Sequence, residues 1–283
     1  MTNDRGPIGP EDYDDPRCPL GSRGFGLDEP VSSIPQKRIS EKLDAYMTDK
    51  DFAGAERHLL YWLEEAKAGL DRRGEFFLCN EMMGFYRKTG REAEGIAAAQ
   101  RALDLLPVLG YEHSASGGTC LVNAGTVYAN FSHHEKALEL FSRAREIYEA
   151  VLSADDSRLG GLYNNMALSL TALGRYEEAR ARFAAAIDIM GKVRNGELEQ
   201  AITWLNLADA AEAQLPPDEA EKEIDSCLEK AAGLLHTPTL PEDGYTIFVC
   251  EKCMPVFDRY GWFFEAGRLR ERIEAFYAGR QKA

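Results

Sequence analysis

Two cysteines three residues apart, Cys250 and Cys253 in FVCEKCMP, are the chain's most metal-like feature. A thiolate pair at that spacing supplies half of a tetrahedral zinc site, and a second pair must supply the rest. The sequence has none. A redox pair of the thioredoxin kind needs a strand–helix–strand setting, which is also missing. The two thiols stand instead at apolar positions of a helical pattern, as do Cys79 and Cys227, and are expected to pack as small hydrophobes. His133 and His134 are adjacent in SHHEKA, and neighbouring helical positions do not converge on one ion. They are expected to cap and pack a turn. His113 stands beside Ser114 and Ser116 without an acidic partner or a nucleophile elbow, so it reads as part of a polar loop. Gly117 and Gly118 lack the spacing of a phosphate loop. No catalytic constellation emerges; the chain reads as a non-enzyme with no metal and no cofactor.

The elements that position these residues follow from composition and period. With 283 residues, 45% of them hydrophobic, the chain can bury a sizeable core in one elongated or two compact domains. Its formal net charge of −14 repels phosphate backbones and anionic lipids. Nucleic acid and membrane surfaces are therefore disfavoured, and a neutral or basic partner is expected. No run of eighteen apolar residues offers a membrane span. The start, MTNDRGPIGPEDYDDP, has no apolar core of a secretory signal, and six cysteines do not form a secreted scaffold at this length. The expected location is cytoplasmic.

Residues 1–35 hold six of the twelve prolines, with seven acids against three bases. Such a segment buries little and is expected to be a flexible acidic tail. From Gln36 onward apolar residues recur at helical spacing, interrupted every fifteen to twenty residues by Gly, Pro or Asp. One small residue recurs after each interruption: Ala55, Gly95, Ala137, Ala179, Ala220 and Ala266, at intervals of 40, 42, 42, 41 and 46. Six copies of a helix–turn–helix unit are expected, at about 36–72, 73–115, 116–156, 157–196, 197–240 and 241–283. Small residues at fixed places let two helices cross closely, and stacked pairs bury what one pair cannot.

The fourth copy carries Ala167, Leu170, Gly174, Tyr176, Ala179, Phe183 and Ala186, and the third Gly125, Tyr128, Ala137, Phe141 and Ala144. The fifth carries Trp204, Leu207, Ala208 and Ala220, and the second Tyr86, Gly90 and Ala102. These offsets resemble the tetratricopeptide repeat (TPR) signature. The period of about 42 exceeds the usual 34 and adds roughly one turn, about 6 Å, to each helix. That longer repeat is similar to kinesin light chains and to bacterial peptide receptors. The resemblance implies an all-α fold, a right-handed solenoid of six antiparallel helix pairs. It also implies a groove, lined by the first helix of each pair, that takes peptides.

On the family's geometry, six of the eight asparagines fall on groove positions: Asn80, Asn123, Asn130, Asn164, Asn165 and Asn206. Asn123, Asn165 and Asn206 share one offset in three successive copies. A side-chain amide both donates and accepts, so a row of them can hold the N–H and C=O groups of an extended peptide. The competing reading is that they satisfy local backbone groups or tie neighbouring helices together. The carboxylate clamp of chaperone-binding members needs a lysine where copies two to six have Phe77, Thr119, Gly161, Ile202 and Phe248, and only Lys37 of the first copy fits. Chaperone tails are therefore not expected. The sequence reads as a protein- or peptide-binding scaffold or adaptor. Self-assembly into a homo-oligomer through the aromatic stretch YGWFFEA, with Tyr260, Trp262, Phe263 and Phe264, is the alternative.

Overall fold

The computed structural model describes residues 30–280. Twelve α-helices occupy them: α1 (Gln36–Thr48), α2 (Phe52–Ala68), α3 (Arg72–Thr89), α4 (Glu92–Leu109), α5 (Ala115–Asn130), α6 (His134–Val151), α7 (Ser157–Ala172), α8 (Tyr176–Met190), α9 (Glu197–Gln214), α10 (Pro217–Leu235), α11 (Gly244–Arg259) and α12 (Phe263–Arg280). No strand forms among the described residues. The helix starts are written in the sequence. Asp51, Asp71, Ser114, Asp156 and Asp243 each accept a hydrogen bond from a backbone N–H of the first turn, at 2.8–3.1 Å. Pro217 opens α10, where its missing N–H has no intrahelical partner to lose.

The chain divides into two compact units, one ending at His133 and the other beginning at His134. In the first, successive helices from α1 to α5 pack on one another, and α3 also touches α5. In the second, α9 touches α7 and α11 as well as α8 and α10. Within each unit, odd-numbered helices thus neighbour each other in one layer. The recurring small residues are all buried: Ala55, Ala137, Ala179 and Ala266 have no exposed surface, Ala220 is 6% exposed, and Gly95 is buried.

Five residues before five of these anchors the backbone turns left-handed. Lys50, Gly90, Ser132, Gly174 and Gly261 have φ between 57° and 79°. Within a unit, one residue in this conformation reverses the chain so that the second helix lies back against the first, as α2 does on α1, α4 on α3, α8 on α7 and α12 on α11. Glycine adopts it without a Cβ clash; lysine and serine do so at a cost of about 1 kcal/mol. The fifth turn is built differently, with extended Leu215 followed by Pro216 and Pro217.

Polar bonds join consecutive pairs along the chain. Glu56 pairs with Arg91, Glu92 meets His133 at 2.7 Å, Gln214 donates to Glu177 at 3.1 Å, and the Trp262 indole donates to Asp225 at 3.1 Å. His133 thus acts at a turn, as the sequence suggested, with its ring edge-on to Tyr128. Between α3 and α4, buried Glu75 accepts two bonds from the Arg101 guanidinium, at 2.7 and 2.9 Å.

The last residues of the segment expected to be a tail are tied to the fold. The backbone N–H groups of Val31 and Ser32 donate to the Gly69 carbonyl at 2.9 and 3.2 Å, and that of Ile34 donates to Asp71 at 2.9 Å. The Ile34 side chain is 7% exposed. Asp71 therefore caps α3 with one carboxylate oxygen and anchors the incoming strand of chain with the other. Residues 1–29 lie outside the described residues.

The left-handed turns give a signed expectation. Lys50 and Ser132 are exposed, so Lys50→Gly and Ser132→Gly change little but backbone strain. Each should raise stability by about 0.5–1 kcal/mol, whereas Gly174→Ala should lower it by a similar amount. Chemical denaturation of the three variants checks this; loss of stability in both glycine variants would refute the turn geometry.

Candidate functional site

Five of the six singled-out asparagines lie within odd-numbered helices and are half-buried: Asn80 on α3, Asn123 on α5, Asn164 and Asn165 on α7, and Asn206 on α9. Asn130 is exposed at the end of α5. Four of them form two cross-helix pairs. In the first unit, Asn123 donates through Nδ2 to Asn80 Oδ1 at 3.0 Å, and Asn80 Nδ2 donates to the Phe76 carbonyl at 2.9 Å. In the second, Asn206 Nδ2 donates to Asn164 Oδ1 at 2.9 Å. The partner of Asn206 is Asn164, not Asn165, which shares its repeat offset. Each pair bonds side chains one repeat apart on neighbouring helices of the same layer.

This geometry changes the expected picture of separate amides. The amides of the two pairs tie helices together, as the competing reading held. A primary amide has two donor hydrogens and an oxygen with two lone pairs, and the cross-helix bond uses one position on each partner. Asn123 and Asn206 are each left with an oxygen and one N–H, fixed in direction by the bond to the neighbouring helix. Such positioning lowers the entropy lost when a further hydrogen bond forms.

The thiols take the apolar role. Cys79, Cys120, Cys227, Cys250 and Cys253 are all buried and free of disulfides. Cys250 and Cys253 sit in one core with Leu205, Leu228, Phe257 and Leu269. Burial pushes the Cys79, Cys120 and Cys253 thiols up to about 12 and Cys227 to about 11, so almost no thiolate exists at neutral pH. No group of three or more His, Cys, Asp or Glu side chains among the described residues is placed to hold a metal ion. Ser114 is the N-cap of α5 and donates to the Tyr111 carbonyl at 2.9 Å. Gly117 packs so closely there that a Cβ would stand 2.0 Å from the Tyr111 oxygen, so this glycine serves chain crossing. No helix among the described residues is long and apolar enough to cross a membrane.

Carboxylates on the same layer escaped the sequence reading. Burial raises the pKa of Glu81 on α3, and the charge of Asp44 on α1 adds to it. On α9, burial raises Glu199 and Asp209, with Lys252 and Arg259 of α11 acting in the opposite direction. Tyr260 donates toward Asp209 and Glu212 at 3.0 Å, and Arg259 pairs with Asp209. Only the alignment of α9 with α11 brings these groups together; their sequence separation of about 50 residues is longer than one repeat.

The family model described as tetratricopeptide repeat matches residues 80–150 and 158–231, about half of the chain. The chain belongs to the tetratricopeptide repeat family. Its fold is the family's all-α solenoid of antiparallel helix pairs. Among solved structures it is similar to BtubC (BKLC) from P. vanneervenii, with a TM-score of 0.62 and 18% identity over 71% of this chain and 79% of that one. TPR-like repeats assigned to a kinesin light chain of Podosopora anserina match with a TM-score of 0.50 and 17% identity, over 72% of this chain and 95% of that one. NprR in complex with its cognate peptide NprX matches with a TM-score of 0.56 and 15% identity, over 85% of this chain and 66% of that one. No curated protein matches in sequence. The kinesin-light-chain likeness agrees with the long period of the TPR pairs.

The cross-helix amide bond can be measured. In a double-mutant cycle of Asn164→Ala and Asn206→Ala, unfolding free energies should show a coupling of about 0.5–1.5 kcal/mol. Additive effects would mean that the pair does not exist in solution.

Proposed function

We propose that this TPR protein is a non-catalytic scaffold or adaptor that binds an extended peptide or protein segment on the odd-helix layer of its units. Asn80, Asn123, Asn130, Asn164, Asn165 and Asn206 are the proposed contact residues, with the amides of Asn123 and Asn206 gripping the peptide main chain. The observation that carries this reading is the pairing itself. Two amides on neighbouring helices are held half-buried at repeat spacing, with donor and acceptor capacity left over on Asn123 and Asn206. Main-chain recognition of this kind tolerates varied side chains, which suits an adaptor. NprR, with a similar fold, was solved with a bound peptide, which supports the use of this architecture for peptide capture. The net charge of −14 favours a neutral or basic segment.

Self-assembly is the second reading, favoured by Phe263 and Phe264 at the start of α12, which are 69% and 82% exposed. The other two aromatics of that stretch are half-buried and engaged: Tyr260 with Asp209 and Glu212, Trp262 with Asp225. Two phenylalanines bury roughly 300 Å² on contact, well below the ~800 Å² per partner of a stable interface. The pair suits an edge contact more than a dimer core.

The test starts from peptides selected on the immobilised protein from a random-sequence display library. Within the second unit, Asn164→Ala with Asn206→Ala should weaken the peptides selected there roughly 30-fold, at about 1 kcal/mol per amide. A thermal melt run beside the titration confirms that the variant is folded at the temperature used. Unchanged affinity in the folded variant would overturn the reading. A solution mass above 31.5 kDa without peptide, abolished by Phe263→Ser with Phe264→Ser, would favour self-assembly instead.

A further inference from the structure

The second unit carries a constellation next to the amide pair that no sequence motif announced. Tyr245 and Phe248, in the first two turns of α11, stack with centroids 6.3 Å apart and planes at 29°. Both remain about half exposed, at 49% and 46%. The Tyr245 hydroxyl donates to Glu199 on α9. The Lys252 ammonium lies 4.6 Å from the centre of the Phe248 ring. Asn206 stands seven residues beyond Glu199, two turns along the same face of α9.

An exposed aromatic shelf with a carboxylate at its edge matches one side chain above others. A guanidinium stacks flat on aromatic faces and pairs with a carboxylate in its own plane. The protein's own Lys252 shows that a cation is accommodated on this shelf. We propose that the α9–α11 face seats an arginine side chain of the bound segment, stacked on Tyr245 and Phe248 and paired with Glu199. This rests on the peptide-binding reading and names the chemistry that the face selects.

Two further facts support it. Burial raises the pKa of Glu199 despite the opposing field of Lys252, so its negative charge is under-compensated and gains from a second cation. An arginine from the partner would meet no rigid obstacle: Lys252 is exposed, and its long stem can swing away. Other charges near this face do not supply the missing cation. Arg259 is engaged with Asp209 and Glu212.

Two synthetic peptides test the idea on the full chain: Gly-Ala-Gly-Arg-Gly-Ala-Gly, and the same peptide with citrulline, neutral but of the same shape, in place of arginine. NMR titration at physiological salt, to millimolar peptide, should show the arginine peptide binding at least tenfold more tightly. Glu199→Gln should abolish that preference, and Lys252→Ala, which removes the competing cation, should increase it a few-fold. Glu274→Gln, an exposed charge on α12, controls for the overall negative field and should leave it unchanged. Equal binding of the two peptides, or a preference untouched by Glu199→Gln, overturns the arginine seat. If both peptides bind equally and both weaken in Asn164→Ala with Asn206→Ala, the peptide-binding reading stands while the arginine seat falls. No binding of either peptide overturns the seat; the display selection then decides the broader reading on its own.

Discussion

Everything in this protein depends on two helices being able to cross where a side chain is nearly absent. Within the two units Ala55, Gly95, Ala179, Ala220 and Ala266 are that place, and all are buried. A larger side chain there would force the helices apart and remove the contact of both with the next pair. In four of these five cases a left-handed residue five positions earlier (Lys50, Gly90, Gly174 or Gly261) sets the reversal that brings the crossing about. The repeat is thus a coupled device: a turn conformation, a fixed number of residues, and a small side chain at the crossing. Because each pair is built this way, the odd-numbered helices within a unit neighbour one another, and residues one repeat apart meet.

That meeting turns a sequence period into side-chain pairs. Asn80 and Asn123 are 43 residues apart and Asn164 and Asn206 are 42 apart, yet each pair is within hydrogen-bonding distance. The same alignment lets α11 present Tyr245 and Lys252 to Glu199 and Arg259 to Asp209. Carboxylates there are held partly out of water beside aromatic rings, where a cationic side chain gains more than it would on an open surface. On the proposed reading, a face that combines paired amides with the half-buried Glu199 carboxylate suits a peptide main chain with a cationic side chain.

The helix pairs were legible in the sequence because the small-residue spacing reports the crossing directly, and glycine at Gly90, Gly174 and Gly261 reports the turn. At Lys50 and Ser132 the same turn is made by residues that give no such signal. The apolar role of Cys250 and Cys253 was legible for the same reason: their helical positions face the core. The amides were only half legible. Offsets tell which face a side chain occupies, but an amide bonds a peptide and a neighbouring amide with equal ease. The one-residue difference that chooses Asn164 over Asn165 as the partner of Asn206 lies in packing, not in the period. Composition misled at residues 31–35, the end of a proline-rich acidic segment that suggested loose chain, where Ile34 and the buried Asp71 carboxylate fasten it. The α9–α11 constellation was invisible, since its members are about 50 residues apart and belong to no motif.

The claim that paired asparagine amides are the grip on a peptide main chain is tested most directly at the amides themselves. In protein labelled with nitrogen-15 at asparagine alone, the side-chain NH2 signals can be followed while a library-selected peptide is titrated to saturation. The account predicts that the Asn123 and Asn206 signals move to hydrogen-bonded positions and that their hydrogens exchange more slowly with water. If the peptide binds and those signals stay where they were, the amides hold only the helices, and the account of the site is wrong.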